Sequence, residues 1–335
     1  MTGQEATGAI VAVRGTGSIG LRHLYVLRDH LQVPAVAIPV RPGRGTELQA
    51  QGFSVMKEVE ELAGYSSVRS IVATDTYRHL SDASDLLRFG DVLVEKPLAP
   101  SLEGLAEFRR TAAKSEHRVF TGFYLRHHAG LQCLRDYLPE VGMVHSVRIE
   151  CQSFLPDWRP DRDYRQSYSA RASEGGVLRD LAHELDYAVW LFGRPGAVWC
   201  VKSNTGRLGI ASEEAADLMW QVPGGAAVSM RLDYLTRVPR RKVTACGEHG
   251  MVEWDAEGGR VTVHRVGETL RVIPVRRDRD AVLAAQAEAF VSAHSDRTKN
   301  RSATLEDGAF IVALTDAAHA AARSQQWQRV AQWTA

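Results

Sequence analysis

Ile10-Val11-Ala12-Val13-Arg14-Gly15-Thr16-Gly17-Ser18-Ile19-Gly20 reads as a strand that runs straight into a glycine turn and out into a helical apolar spacing. In a Gly-x-Gly-x-x-Gly turn placed this way, the first glycine makes the tight bend, the second admits a ligand close to the backbone, and the third lets helix and strand approach. The unpaired amides and the positive end of the helix dipole then attract phosphate. Gly15, Gly17, Ser18, Ile19 and Gly20 are therefore the expected cradle of a dinucleotide pyrophosphate. A glycine-rich turn without a ligand is the plainer alternative.

Working outward, short apolar runs alternate with helical segments. Strands are expected at Ile10 to Arg14, Ala35 to Val40, Ser70 to Ala73, Asp91 to Glu95 and Val119 to Phe123, with a weaker one at Phe53 to Val55. Between them Leu24, Leu27 and Leu31, then Leu80, Ala83 and Leu87, then Leu105, Phe108 and Ala112 repeat at helical spacing. This is α/β, a doubly wound parallel sheet of Rossmann type over residues 1–122.

Beyond residue 123 strands come in neighbouring pairs. Ala215 to Gln221 and Ala227 to Tyr234 flank Pro223-Gly224-Gly225, and Val243 to Cys246, Gly250 to Trp254 and Val261 to Arg265 continue the series. Residues 123–335 are therefore expected to form an α+β domain with a large, mainly antiparallel sheet. Helices are expected at Asp280 to His294 and Leu305 to Arg323, the latter (about 303–323) packing back on the first domain.

The 335 residues carry 41 Lys plus Arg against 40 Asp plus Glu, a balance that offers no field to attract nucleic acid or an anionic membrane. Cys133, Cys151, Cys200 and Cys246 are widely spaced, without zinc-site or disulfide patterning, so no metal is expected. With no leader-like or bilayer-spanning run, the expectation is a cytoplasmic protein acting on a small molecule.

An NAD site usually places an acidic residue about 20 positions after the turn, on the ribose 2′-hydroxyl. Here the second strand ends Ile38-Pro39-Val40-Arg41, without a carboxylate, and Arg41 with Arg44 could clamp a 2′-phosphate. NADP(H) is thus preferred and NAD(H) possible; a solvated loop charge is the other reading of Arg41.

Lys96 follows the run Asp91-Val92-Leu93-Val94-Glu95, at the carboxyl end of a parallel strand, where such sheets bind ligands. Desolvation there would lower the amine's proton affinity toward neutral pH. A lysine after a strand is also an ordinary surface residue. In Gly175 to Tyr187, continuous helical geometry would put Asp180, His183 and Tyr187 on one face, meeting a ligand together, unless that face is merely solvated.

These motifs together, with Thr74-Asp75-Thr76-Tyr77-Arg78-His79, Glu95-Lys96-Pro97-Leu98-Ala99 and Gly175-Gly176-x3-Asp180-x2-His183-x2-Asp186, resemble the Gfo/Idh/MocA oxidoreductase family. The likeness extends to Gly122-Phe123-Tyr124-Leu125-Arg126 and Gly247-Glu248-His249-Gly250. It implies that Lys96 and His183 are catalytic, that Asp180 is the acid near the substrate, and that Thr74 and His79 border the nicotinamide, with Glu95 beside them. It also implies a cis bond at Lys96-Pro97 and a homodimer or homotetramer. The family spacing Asp-x3-His is shortened here by one residue.

Asp157-Trp158-Arg159-Pro160-Asp161-Arg162-Asp163-Tyr164-Arg165 combines aromatic faces with arginine forks. Trp158, Arg159, Tyr164 and Arg165, with Arg126 and Tyr187, are the expected contacts to a sugar, cyclitol or nucleotide-linked sugar. Arg and Asp pairing with each other is the alternative. The reading is a dehydrogenase or reductase moving a hydride to or from a secondary carbinol. A redox-neutral epimerase or glycosidase with retained cofactor, or a non-catalytic NADP-sensing regulator, stays open.

Overall fold

The computed structural model describes residues 7–292 and 301–332. Two compact units divide it: one comprises the chain to His127 together with Arg279–Ala309, the other His128–Asp278 together with the chain from Phe310. The division thus falls at His127/His128 rather than at 122/123, and Arg279–Ala309 belongs to the first unit.

The first unit is built on β1 (Thr7–Arg14), β2 (Ala35–Ile38), β3 (Ser54–Val55), β4 (Tyr65–Val72), β5 (Gly90–Glu95) and β6 (Val119–Gly122). They lie in the order β6-β5-β4-β1-β2-β3, all parallel, and Ala303–Thr304 adds an antiparallel edge to β6. Every residue of β5 is buried, as expected of a strand covered on both faces. The covering helices are α1 (Ser18–Tyr25), continued by a π-turn at Val26–His30, then α2 (Arg44–Ala50), α3 (His79–Leu86) and α4 (Leu105–Ala113). Val11, Val13, Leu24, Leu27, Ile71, Leu93 and Phe120 meet in one core cluster, each contributing about 1.5–3 kcal/mol by leaving water. The helix Arg279–Val291 joins this unit: Leu283 and Ala287 pack with Val26 and Ile19. Residues 293–294, the end of that expected helix, lie outside the described residues.

The second unit carries β7 (Val144–Gln152), β8 (Ala197–Ser203), β9 (Ala215–Gln221), β10 (Ala227–Asp233), β11 (Arg240–Gly247), β12 (Gly250–Asp255), β13 (Arg260–Arg265) and β14 (Arg271–Pro274). Their order is β14-β13-β12-β11-β7-β10-β9-β8, with Gln328–Arg329 beyond β8, and only β7 and β10 pair in parallel. Alternation is clean along β9: Leu218 and Trp220 are buried while Asp217, Met219 and Gln221 face water. α5 (Ala129–Tyr137), α6 (Val177–Asp180) and α7 (Ala182–Phe192) complete the unit, with the part of the helix Leu305–Ser324 that follows Ala309.

The expected single helix across Gly175 to Tyr187 is not formed. Leu181, at φ −93° and ψ 33°, separates α6 from α7. β7, β8 and β14 were not anticipated; β7 becomes central only through β10 and β11, which come much later in the chain.

Candidate functional site

In the first unit the strand order reverses between β1 and β4, and the glycine turn lies at the carboxyl ends of these two strands, where doubly wound sheets receive ligands. The Gly15 amide donates to the Ile38 carbonyl at 3.1 Å and the Ala73 amide to the Arg14 carbonyl at 2.8 Å, which fixes the turn against its neighbours. Gly15 has φ +87°, and a Cβ there would stand 2.6 Å from the Thr74 nitrogen; one on Gly20 would stand 2.0 Å from the Gly15 carbonyl oxygen. By contrast, a Cβ on Gly17 would meet nothing within 4 Å. Gly15 and Gly20 thus permit close packing of the turn itself, and Gly17, preceding α1, leaves open space at a helix N-terminus. That cradle fits a dinucleotide pyrophosphate. Ser18 is exposed on it, whereas Ile19 packs on the helix Arg279–Val291 and serves the cradle through its amide.

The end of β2 bears no carboxylate. Arg41 is exposed there, while Arg44 is ion-paired with Glu47 in the first turn of α2. The expected pair of arginines therefore reduces mainly to Arg41.

Lys96 follows β5, half-buried, and its peptide to Pro97 is cis, as expected. His79 is buried. Its Nδ1 faces the Pro97 carbonyl oxygen at 2.9 Å and its Nε2 that of Thr74 at 3.1 Å, and burial lowers its pKa. It bridges the two loops rather than presenting its ring to a ligand. The Thr74 hydroxyl donates to Asp82 at 2.8 Å, and Asp82 also receives Arg78 at 3.0 Å and Arg14 at 3.4 Å. Glu95 is a correction. Its carboxylate turns inward, accepting from His23 Nε2 at 2.7 Å and from the Lys96 amide at 3.2 Å, so it supports the site and does not line it. Arg126, also expected at the substrate, is buried and ion-paired with Asp307 at 3.1 Å.

In the second unit Asp180, on α6, is 5 % exposed. Oδ2 accepts from Ser169 at 2.6 Å and from Tyr234 at 3.0 Å, while Oδ1 accepts from the Tyr168 hydroxyl. Three hydroxyls from two other segments make this carboxylate a clamp that docks residues 168–169 and the end of β10 onto α6. His183 stands in the first turn of α7, 6 % exposed, with Asp186 buried one turn on. Tyr187, expected at the substrate, lies in α7 beyond the break at Leu181, so it does not share one continuous helix with Asp180. It is fully buried, its ring edge-on to Trp254 at 6.1 Å.

The charged segment divides similarly. Tyr164 donates to the Leu208 carbonyl at 3.0 Å, and Arg165 pairs with Asp163 at 2.9 Å, the self-pairing alternative. Trp158 is 38 % exposed, its indole N–H donating to Ser153 at 2.9 Å and its ring edge-on to Tyr234 at 5.4 Å. Arg159 is exposed. Trp158 and Arg159 stay available to a ligand; Tyr164 and Arg165 have local work. His23, Asp82, Ser169 and Tyr234 were missed. A histidine inside the buried stripe of α1, beside Leu24, was the one signal in the sequence for any of them.

Residues 10–123 match the model of an oxidoreductase family with an NAD-binding Rossmann fold, named Gfo/Idh/MocA, and residues 139–253 match that family's C-terminal domain. The chain belongs to the Gfo/Idh/MocA family of oxidoreductases. Among solved structures, it is similar to a levoglucosan dehydrogenase in complex with NADH, at 18 % identity and TM-score 0.82, over 98 % of this chain and 100 % of that one. An inositol dehydrogenase homologue from Azotobacter vinelandii complexed with NAD+ matches at 18 % identity and TM-score 0.82, covering 97 % of this chain and 98 % of the other. An oxidoreductase from Agrobacterium radiobacter in complex with NAD+, L-tartaric acid and magnesium matches at 17 % and 0.79, with 97 % and 98 % covered. At such identity the structural likeness speaks for the fold, and the family models carry the membership. For this Gfo/Idh/MocA chain, no helix among the described residues is long and apolar enough to cross a membrane.

Proposed function

We propose that this oxidoreductase is an NADP(H)-dependent dehydrogenase or reductase of a sugar, cyclitol or nucleotide-linked sugar, working in the cytoplasm as a homodimer or homotetramer. The observation that carries the reading is the placement of Lys96 directly after β5, in the same sheet whose β1 ends in the glycine cradle. When bound, the nicotinamide would supply the hydride chemistry. Lys96 exchanges the proton of the carbinol oxygen, and His183 is the second proton carrier. Trp158 offers an aromatic face and Arg159 a cationic fork to the polyol. The NADP preference rests on the carboxylate-free end of β2 and on exposed Arg41, because a 2′-phosphate gains charge-assisted bonds there.

Titration of the purified protein with NADPH and NADH, followed by turnover with a panel of sugars and cyclitols, tests this. NADPH is expected to bind at least roughly tenfold more tightly, with Arg41→Ala removing the difference; equal affinity, or tighter NADH, rejects the preference. Lys96→Met is expected to lower turnover by about 10²–10⁴-fold with cofactor binding retained, and full activity would refute its role.

A further inference from the structure

His23 is buried completely on α1, three residues beyond Gly20, the last glycine of the cradle. Its Nε2 lies 2.7 Å from Glu95 Oε1, and its Nδ1, also buried, meets no hydrogen-bond partner among the described residues. With no acceptor among the described residues facing Nδ1, Nε2 is the nitrogen placed to donate its N–H to the Glu95 carboxylate. The other carboxylate oxygen takes the backbone amide of Lys96 at 3.2 Å. Glu95 thus has one oxygen committed to α1 and one to the peptide that carries the lysine.

Its surroundings leave it little freedom. A Cβ on Gly122, in the adjoining β6, would come within 3.1 Å of both Glu95 Cα and Glu95 Cδ, so the side chain lies close against backbone. On the far side of the lysine, the Pro97 carbonyl oxygen lies 2.9 Å from His79 Nδ1. The backbone amide of the lysine is anchored on Glu95, and that anchor is only as good as the rotamer of Glu95. That rotamer is set by the bond to His23.

We propose that His23 is a positioning residue for Lys96: through the Glu95 carboxylate it ties the helix that starts at the phosphate cradle to the peptide bearing the amine. The inference rests on the reading of Lys96 as the proton-transfer group. It predicts a function for a side chain that touches neither cofactor nor substrate. A residue that merely glues α1 to β5 would move stability and leave the amine where it is.

Full-length His23→Leu and His23→Gln separate these. Leucine cannot donate, whereas glutamine can carry an N–H to the carboxylate. With the sugar or cyclitol that gives turnover, His23→Leu is expected to lower kcat by roughly 30–100-fold, because a misplacement of about 1 Å costs on the order of 10²-fold. KM for the sugar and NADPH affinity should change less than about threefold, and His23→Gln should recover kcat to within about fivefold of the parent. A readout that needs no substrate is the ¹³C resonance of reductively methylated Lys96, assigned by its loss in Lys96→Arg. It should shift in His23→Leu with NADPH bound and return in His23→Gln. Should His23→Leu fail to fold, the double variant His23→Leu/Glu95→Gln removes the unmatched carboxylate and is expected to show the same resonance shift. Parental kcat with a lower Tm, glutamine no better than leucine, or an unmoved Lys96 resonance overturns the proposal. Absence of turnover with every sugar would instead count against the proposed reaction, with the resonance still deciding the role of His23.

Discussion

Two buried carboxylates, one in each unit, are held in different ways. Glu95 has an imidazole N–H and the amide of the very next residue. Asp180 has three hydroxyls, from Tyr168, Ser169 and Tyr234, and so joins a loop and a strand to α6. The first arrangement fixes one peptide; the second fixes a tertiary junction. Loss of the first should therefore appear in chemistry, and loss of the second in stability. Family resemblance had given Asp180 a chemical role and Glu95 a place at the cofactor, and the hydrogen bonds favour support roles for both.

The strongest way to break this comparison is Asp180→Ala. It leaves three hydroxyls without their acceptor, two of them on residues that are at least nine-tenths buried, and is expected to cost about 3–5 kcal/mol, read as a lower Tm or denaturation midpoint. An unchanged midpoint would show that the junction does not depend on this carboxylate.

Acid sharpens the comparison from another side. The second unit buries His319, whose pKa is lowered to about 3 by desolvation and then by Arg179, Lys202 and Arg323. The unfolded chain takes up a proton near pH 6.5 that the native ring refuses, so stability is complete above 6.5 and falls as pH drops toward 3. The slope from this residue alone is about 1.4 kcal/mol per pH unit. In the first unit burial lowers His127 to about 4, so acid should weaken both units and not the hydroxyl clamp selectively. Denaturation midpoints measured between pH 7 and 4.5 check the sign; a midpoint that rises on acidification would contradict it.

The smallest expected effect is Ser169→Ala, which removes one of three donors to Asp180 at a cost of about 1 kcal/mol. A loss as large as that of Asp180→Ala would mean that the three bonds do not share the load.

Legibility in the sequence differed between the units for a physical reason. Parallel strands buried on both faces are continuous apolar runs, so Asp91 to Glu95 announced itself, and the glycine spacing needed only neighbouring residues to be recognised. In the second unit β9 and β10 were found with their turn because a hairpin is local, whereas β7 owes its central place to partners far along the chain. The site followed the same rule. The glycine cradle comes from contiguous residues, and the cis peptide at Lys96 was implied by the family resemblance that a short contiguous motif carries. Tyr187 was misplaced because a single residue, Leu181, leaves the helical conformation between α6 and α7, so the two are not one continuous helix.

By itself, then, the sequence determined the parallel dinucleotide-binding sheet, the antiparallel character of the second unit, the family and the lysine proposed for proton transfer. Each of these depends on short-range periodicity or on residues adjacent in the chain. Only the tertiary structure decided what the carboxylates do. His23 and Glu95 are 72 residues apart, and Tyr234 and Asp180 are 54 apart. Hydrogen bonds over such separations follow from packing, because a side chain's partners are set by which strands and helices are brought beside it and not by its own spacing in the chain.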